Sequence, residues 1–302
     1  MTSAGARSQR VAVVIPAKDE AESIAATVRA ARAIPHVDLV LVVDDGSMDE
    51  TQHAARRAGA VVVRHSVNRG KASAMETGAS VVAMRDVEGA PPRLLLFIDA
   101  DLGETAVATS PLVAPVVAGT ADCTIAVLPP QPGAGGRGIV TGLARKAIER
   151  TTGWHATQPL SGQRCLTRDA FDAATPLARG WGVETGMTID LLVAGFTLQE
   201  VPCDLRHRPS TNNLAGQLHR GRQYRDVTLA VSARRVRGVR VPHARRGDNP
   251  ARQKPGRPYR AWATPPEGES SDGASADAPP SSDRPSPGSS PSARSGPDPA
   301  GS

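Results

Sequence analysis

Leu39-Val40-Leu41-Val42-Val43-Asp44-Asp45-Gly46-Ser47 is the stretch that decides the fold. Five aliphatic residues in a row, with no polar alternation, read as a strand covered on both faces, as in a parallel sheet flanked by helices. The run ends in two carboxylates, a glycine and a serine. The same design recurs at Leu94-Leu95-Leu96-Phe97-Ile98-Asp99-Ala100-Asp101. Open α/β sheets hold ligands at the carboxyl ends of their strands. Two acidic strand ends on one edge suit a polar ligand held partly through a divalent cation.

Outward from these runs the chain alternates. Strands are predicted over 11–15, 37–43, 60–64 and 94–98, the first ended by Pro16. Helices are predicted between them: one opening at Asp19 or Glu20 and running to 33, one over 47–58 and one over 72–84. Ser47 and Glu50 have the spacing of a capping box, and Gly59 supplies a stop. This β-α-β-α order argues a doubly wound, mostly parallel α/β sheet of Rossmann-like type. The second half is less regular. Pro111 and Pro115 keep any helix over 106–118 short or kinked. Strands are expected over 123–127, 162–166 and 197–201, and helices over 137–150, 183–193 and 214–236. The Gly/Pro-rich stretch 129–138 reads as a loop with the composition of a lid.

Composition sets the boundaries. Only 3% of the 302 residues are aromatic, so the core must be built from aliphatic side chains. Large aliphatics nearly vanish after residue 241, where Pro, Gly, Ser, Asp and Arg dominate. Such a segment buries too little apolar surface to offset its ordering entropy. A folded domain over 10–240 and a disordered tail over 241–302 are therefore expected. The net charge of +6 is concentrated around Arg234, Arg235, Arg237, Arg240, Arg245 and Arg246. It reads as a solvated basic face or as an attraction to anionic lipid. Aromatic residues are too scarce there for nucleic-acid stacking, so no nucleic-acid partner is expected. Cys123, Cys165 and Cys203 lack metal or disulfide spacing and read as small buried hydrophobes in a reducing compartment. No apolar leader opens the chain and no run is long enough to span a bilayer. A cytoplasmic protein is expected, one that at most rests on the inner face of a membrane.

The residues now in hand resemble glycosyltransferases of family 2 with the GT-A fold. The matching pieces stand in the family's order: Val14-Ile15-Pro16-Ala17-Lys18-Asp19-Glu20, Val43-Asp44-Asp45-Gly46-Ser47, Asn68-Arg69-Gly70-Lys71, Asp99-Ala100-Asp101, Pro159-Leu160-Ser161-Gly162-Gln163 and Gly182-Val183-Glu184. The resemblance implies a GT-A domain with a smaller acceptor-side part and a UDP- or GDP-sugar donor. It assigns Pro16, Ala17, Asp19, Glu20, Asp45, Lys71, Asp99 and Ala100 to the nucleotide. Asp45 would read the base, while Asp44 is structural. Asp101 would bind Mg²⁺ or Mn²⁺, with His207 as a further ligand. Glu184 would be the acceptor-side carboxylate. Ser161, Gly162, Gln163, Arg206 and Arg208 would frame a sugar and a phosphorylated acceptor. Each has a plainer alternative: a helix-end carboxylate, a solvent-exposed lysine or a surface basic turn. Trp154 and Trp181 read equally as sugar walls and as core.

Two kinds of acceptor compete. The chain resembles polyprenyl-phosphate hexose synthases, with peripheral membrane contact, and also glucosyl-3-phosphoglycerate synthases, with a soluble acceptor. The reading leans to the first. A homodimer is compatible with either. A nucleotide-sugar-binding module without transfer activity is the reading from another class, and the complete acidic set argues against it.

Overall fold

The eight strands are β1 (Val11–Ala17), β2 (Val37–Asp44), β3 (Val61–Arg64), β4 (Leu94–Phe97), β5 (Cys123–Val127), β6 (Arg164–Leu166), β7 (Leu198–Pro202) and β8 (Pro258–Tyr259). They form one sheet in the order β3-β2-β1-β4-β6-β5-β7-β8. The structure is a computed structural model and describes residues 9–129, 138–205, 214–247 and 255–263. β1 pairs in parallel with β2 and β4, β2 with β3, and β5 with β7. β6 runs antiparallel between β4 and β5, and β8 antiparallel along β7. The expected α/β sheet of mostly parallel strands is present.

The uninterrupted apolar runs have a simple cause. Val11, Val13 and Ile15 belong to one core cluster, whereas Ala12 and Val14 belong to another. Leu94 and Leu96 likewise part from Leu95 and Phe97. Successive side chains point to opposite faces, and here both faces are covered. Helices α1 (Ile24–Ala31) and α2 (Thr51–Arg57) follow β1 and β2, and α3 (Lys71–Ala83) follows β3. Gly78 of α3 sits so close to β1 that a Cβ there would come within 2.4 Å of Val14 Cγ1. That contact fixes where the amino end of α3 emerges. The expected interruption by prolines is also seen: Gly103–Leu112 winds as a 3-10 helix before the short α4 (Val113–Val117). Beyond it lie α5 (Gly138–Thr152), α6 (Arg168–Ala174), α7 (Val183–Val193) and α8 (Leu214–Val236). No helix among the described residues is long and apolar enough to cross a membrane.

Four local expectations differ from what is observed. Pro16 does not end β1, which runs on to Ala17. Val14 O accepts from Ile98 N, so Pro16, two residues on, faces the β4 side after β4 has ended at Phe97. Its missing N–H therefore costs no ladder bond. The helix after β1 starts only at Ile24, because the preceding loop spends its N–H groups on the loop after β2. Ser47 and Glu50 do not form a capping box. Ser47 Oγ accepts from Asp19 N at 2.9 Å, and α2 opens at Thr51 without a side-chain cap. Helix α6 was not expected; Thr167 caps it by accepting from Ala170 N at 3.2 Å.

The segment beyond residue 241 corrects the expectation of a structureless tail. Residues 241–247 and 255–263 pack on the domain, with Val241, Tyr259 and Ala261 in its core. Tyr259 and Ala261 are buried, and Tyr259 stacks on the buried Trp154 with ring centroids 5.8 Å apart. The Tyr259 hydroxyl donates to Thr152 O at 3.0 Å, and Trp262 Nε1 to Val193 O at 2.9 Å. A few aromatic residues thus anchor a segment that is otherwise polar, because each buries a large apolar area and still satisfies its polar atom with a hydrogen bond. This also settles Trp154 as core. Residues 264–302 lie outside the described set. Arg234, counted above in the basic cluster, is buried and clamps both oxygens of Asp190, joining α8 to α7.

Tyr259→Ala is expected to cost about 3 kcal/mol, the usual scale for truncating a buried aromatic, read as a lower urea midpoint. An unchanged midpoint would show that the segment does not contribute to the fold. The three cysteines are buried. Burial pushes the Cys123 and Cys203 thiols up to about 12 and raises Cys165 as well. The native chain is expected to resist a thiol reagent at about pH 8, where an exposed cysteine reacts, and to react fully once unfolded.

Candidate active site

The β1–β4 boundary is where the strand order reverses, and the acidic end of β4 lies there. The Asp99-Ala100-Asp101 turn is fastened from behind by Thr27 of α1. Its hydroxyl donates to Ala100 O at 2.8 Å and accepts from Gly103 N at 2.8 Å. Asp99 Oδ1 accepts from Lys71 Nζ at 2.9 Å, and Asp99 Oδ2 from Gln163 Nε2 at 2.6 Å. Lys71 is the first residue of α3, and its ammonium also donates to Glu184 Oε1 at 3.0 Å. Glu184 is buried in the first turn of α7, where the helix dipole favours a negative charge. Burial alone would lower the pKa of Lys71. Asp99 and Glu184 outweigh that and hold it above the ordinary lysine value.

Gly162 closes this cluster. A Cβ there would lie 2.6 Å from Lys71 Nζ and 3.2 Å from Asp99 Oδ1, so only glycine leaves room for the ion pair. Ser161 Oγ donates to Gln163 Oε1 at 3.4 Å. Beneath lies Arg164, fully buried, with Nε donating to Ser161 O and Nη1 to Thr188 Oγ1, each at 3.0 Å. Burial lowers its pKa, and Cys123, Glu184 and Glu200 partly restore it. Sequence reading passed over Arg164. The available signal was a lone charge inside a strand, between Gln163 and Cys165.

A second cluster forms where β1 and β2 end. Asp19 N, Glu20 N and Ala21 N donate to Ser47 Oγ, Thr51 Oγ1 and Asp49 Oδ2 at 2.8–3.0 Å. Met48 N returns a bond to Asp19 Oδ1 at 2.7 Å. Asp19 adopts a left-handed φ of 54°, and its carboxyl is held below the usual range by Lys18 and the Met48 N–H. Glu20 Oε2 accepts from Ser23 Oγ. Asp45 is buried; Oδ1 accepts from Arg69 N and lies 2.7 Å from His65 Nδ1, and Oδ2 accepts from Gly70 N. Gly46 permits this approach at φ 73°, where a Cβ would meet the backbone of Val67 and Asn68 at 2.8 Å. Asp44, fully buried, accepts from Ser47 N at 3.0 Å and so braces the same turn.

The site residues expected from sequence therefore fall into groups. Lys71, Asp99, Ser161, Gly162, Gln163 and Glu184 converge. Pro16, Ala17, Asp19, Glu20 and Asp45 share the neighbouring edge, and Ala100 and half-buried Asp101 end β4. Trp181 is 40% exposed in the turn before α7. Arg206, His207 and Arg208, and residues 130–137 of the Gly/Pro-rich loop, lie outside the described residues.

Residues 12–172 match the family model described as glycosyl transferase family 2. The chain belongs to glycosyl transferase family 2. Among its family relatives, glucosyl-3-phosphoglycerate synthase of Mycolicibacterium paratuberculosis is 29% identical over 196 residues, 60% of this chain and 59% of that protein. Glycosyltransferase AglJ of Haloferax volcanii is 31% identical over 203 residues, 66% of this chain and 64% of that protein. The matches thus span less than two thirds of these relatives. Glucosyl-3-phosphoglycerate synthase of Mycobacterium tuberculosis, solved with Mn²⁺, UDP and glucosyl-3-phosphoglycerate, is similar with a TM-score of 0.59 and 26% identity. That match covers 79% of this chain and 83% of that one.

The carboxylates among the described residues suit a hard divalent cation. Among the described residues no three of His, Cys, Asp and Glu converge, so a closed protein cage is not offered. Hard cations such as Mg²⁺ need only one or two carboxylates and complete their shell with water and phosphate oxygens. The end of β4, with Asp99 engaged by Lys71 and Gln163 and Asp101 two residues on, is of that kind.

Lys71→Met should strand two carboxylates beside each other and lower stability by about 2 kcal/mol, the partly solvent-screened share of a buried pair. A lysine whose folded pKa is raised contributes fully below its unfolded value and loses that contribution only as pH climbs through the folded one. The deficit measured by denaturant titration is therefore expected to stay flat between about pH 6 and pH 9. A deficit that shrinks across that interval would contradict the ion-pair assignment.

Proposed function

We propose that this chain transfers a glucosyl group from UDP-glucose to a small phosphorylated acid of the 3-phosphoglycerate type, with a divalent cation. One observation carries the reading. A relative that is 26% identical and covers most of the fold was solved with UDP, Mn²⁺ and its phosphoglycerate product. In this chain Lys71 joins Asp99 and Glu184, with Asp101 two residues beyond Asp99. The lean toward a polyprenyl phosphate gives way on the same ground. Every similar protein cited above whose name specifies an acceptor specifies phosphoglycerate.

In this reading Pro16, Ala17, Asp19, Glu20 and Asp45 meet the nucleoside, and Asp99 and Ala100 the ribose side. Asp101 would hold the cation, with His207, outside the described residues, as the further ligand that the resemblance implies. When bound, that ion supplies positive charge against the departing diphosphate. Lys71 places a permanent cation at the amino end of α3, where backbone N–H groups also favour anions. Glu184 and the 161–163 loop bound the sugar and acceptor, and Arg206 and Arg208, outside the described residues, are assigned by the resemblance to the acceptor phosphate. Because Lys71 serves both Asp99 and Glu184, a proton passing from the acceptor hydroxyl to Glu184 would neutralise one of the two anions that Lys71 holds.

The test supplies the full chain with Mn²⁺, radiolabelled UDP-glucose or GDP-mannose, and either 3-phosphoglycerate or a polyprenyl phosphate. Label is expected in a water-soluble anionic product from UDP-glucose and phosphoglycerate. Label extracted into chloroform would overturn the acceptor class, and no transfer from either donor would overturn the activity. Asp101→Ala is expected to reduce turnover by about 100-fold, the scale of losing metal affinity, and to remove the Mn²⁺ dependence of UDP binding.

A further inference from the structure

His65 stands at the carboxyl end of β3, and none of the roles above uses it. It is only 6% exposed, and both ring nitrogens have partners. Nδ1 lies 2.7 Å from Asp45 Oδ1, and Nε2 lies 3.0 Å from Thr77 Oγ1 on α3. An ionised carboxylate only accepts, so Nδ1 carries a proton and donates it. The Thr77 hydroxyl can donate or accept, so it satisfies Nε2 in either state. The His65 backbone is fixed too, with N donating to Asp44 O at 2.9 Å.

The consequence lies at Asp45. Its Oδ1 takes the His65 ring and the Arg69 N–H, at 2.7 and 2.8 Å. Among the described residues its Oδ2 takes only the Gly70 N–H, at 2.7 Å. A carboxylate oxygen accepts about two bonds. Oδ1 is therefore saturated, and Oδ2 alone retains capacity. Arg69 and Gly70 lead directly into Lys71, the cation between Asp99 and Glu184. A continuous chain of contacts thus runs from Thr77 through His65 and Asp45 to the turn that delivers Lys71.

We propose that His65 is a positioning residue for the donor nucleotide: through Asp45 it holds the 68–70 turn and selects Oδ2 as the oxygen that meets the base. The proposal rests on the reading that Asp45 faces the nucleoside. Loss of the imidazole removes a charge-assisted bond from a buried carboxylate, leaving Oδ1 with a lone partner and both oxygens open to rotation. His65 touches no reacting atom; it acts through Asp45.

The test compares His65→Ala, His65→Asn and His65→Gln in the full chain. An asparagine amide can take the place of Nδ1 and donate to Asp45, whereas a glutamine amide reaches the place of Nε2 and Thr77. Two readouts are needed: amide exchange at residues 68–70, and calorimetric binding of UDP with Mn²⁺. His65→Ala and His65→Gln are expected to speed exchange in the turn and weaken UDP by about tenfold, the scale of one hydrogen bond to a charged group. His65→Asn is expected to stay close to the parent in both. The KM for 3-phosphoglycerate is expected to stay unchanged throughout. Unaltered exchange in His65→Ala overturns the proposal, as does equal impairment of the Asn and Gln variants. Faster exchange with unchanged UDP affinity overturns it as well. If the alanine variant fails to fold, the Asn and Gln pair decides alone. If the parent binds neither UDP nor GDP, the transferase reading fails, and the exchange data still decide whether His65 holds the turn.

Discussion

The site is organised around one ammonium group, Lys71 Nζ, held 2.9 Å from Asp99 and 3.0 Å from Glu184. The two carboxylates come from the turn after β4 and from the first turn of helix α7, 85 residues apart in the chain. Without the cation between them they would repel at close range in surroundings that screen poorly. Several local features serve this arrangement. Gly162 leaves the space, Gln163 occupies the second oxygen of Asp99, and Thr27 pins the turn that carries it. The turn at 68–70 sets where α3 begins and so where the ammonium can reach.

The neighbouring edge is built differently. The loops after β1 and β2 carry little regular structure, yet their backbone N–H groups are matched one by one to Ser47, Thr51 and Asp49 side chains. Buried or half-buried N–H groups must find acceptors, and short polar side chains provide them without imposing a helix. The left-handed Asp19 is tolerated because the Met48 N–H and Lys18 hold its carboxylate. The two loops are therefore tied to each other by hydrogen bonds between backbone N–H groups and side chains.

How far this was legible in the sequence depends on which forces dominate. Strands covered on both faces announce themselves as short, mostly apolar runs without alternation; 123–127 is legible at its observed bounds for that reason. Helices α7 and α8 were also read at their observed bounds. Partner choice in the polar loops was not legible. Ser47 looks like a helix cap locally, and its real partner, Asp19, is set by tertiary approach of two loops. His65 carries no local signature, since its contacts are with Asp45, twenty residues before it, and Thr77, twelve residues after it on α3. The segment after 241 misled for a related reason: composition averages hide a Tyr259 and a Trp262 that anchor by area and by hydrogen bonds.

The direction of β6 explains how distant pieces meet at one edge. Its register pairs Leu95 with Leu166 and Phe97 with Arg164, antiparallel. The residues preceding β6 therefore lie beside the residues following β4. Were β6 parallel, Ser161, Gly162 and Gln163 would stand at the opposite edge of the sheet, far from Asp99. The antiparallel insertion brings the 161–163 loop onto the carboxylate that β4 delivers. Parallel pairing of β5 with β7 then continues the sheet beyond it. Strands β1 to β4 and the strands beyond β6 are thus joined by a single reversed strand. The contact between Gln163 and Asp99 is the hydrogen bond that this reversal makes possible.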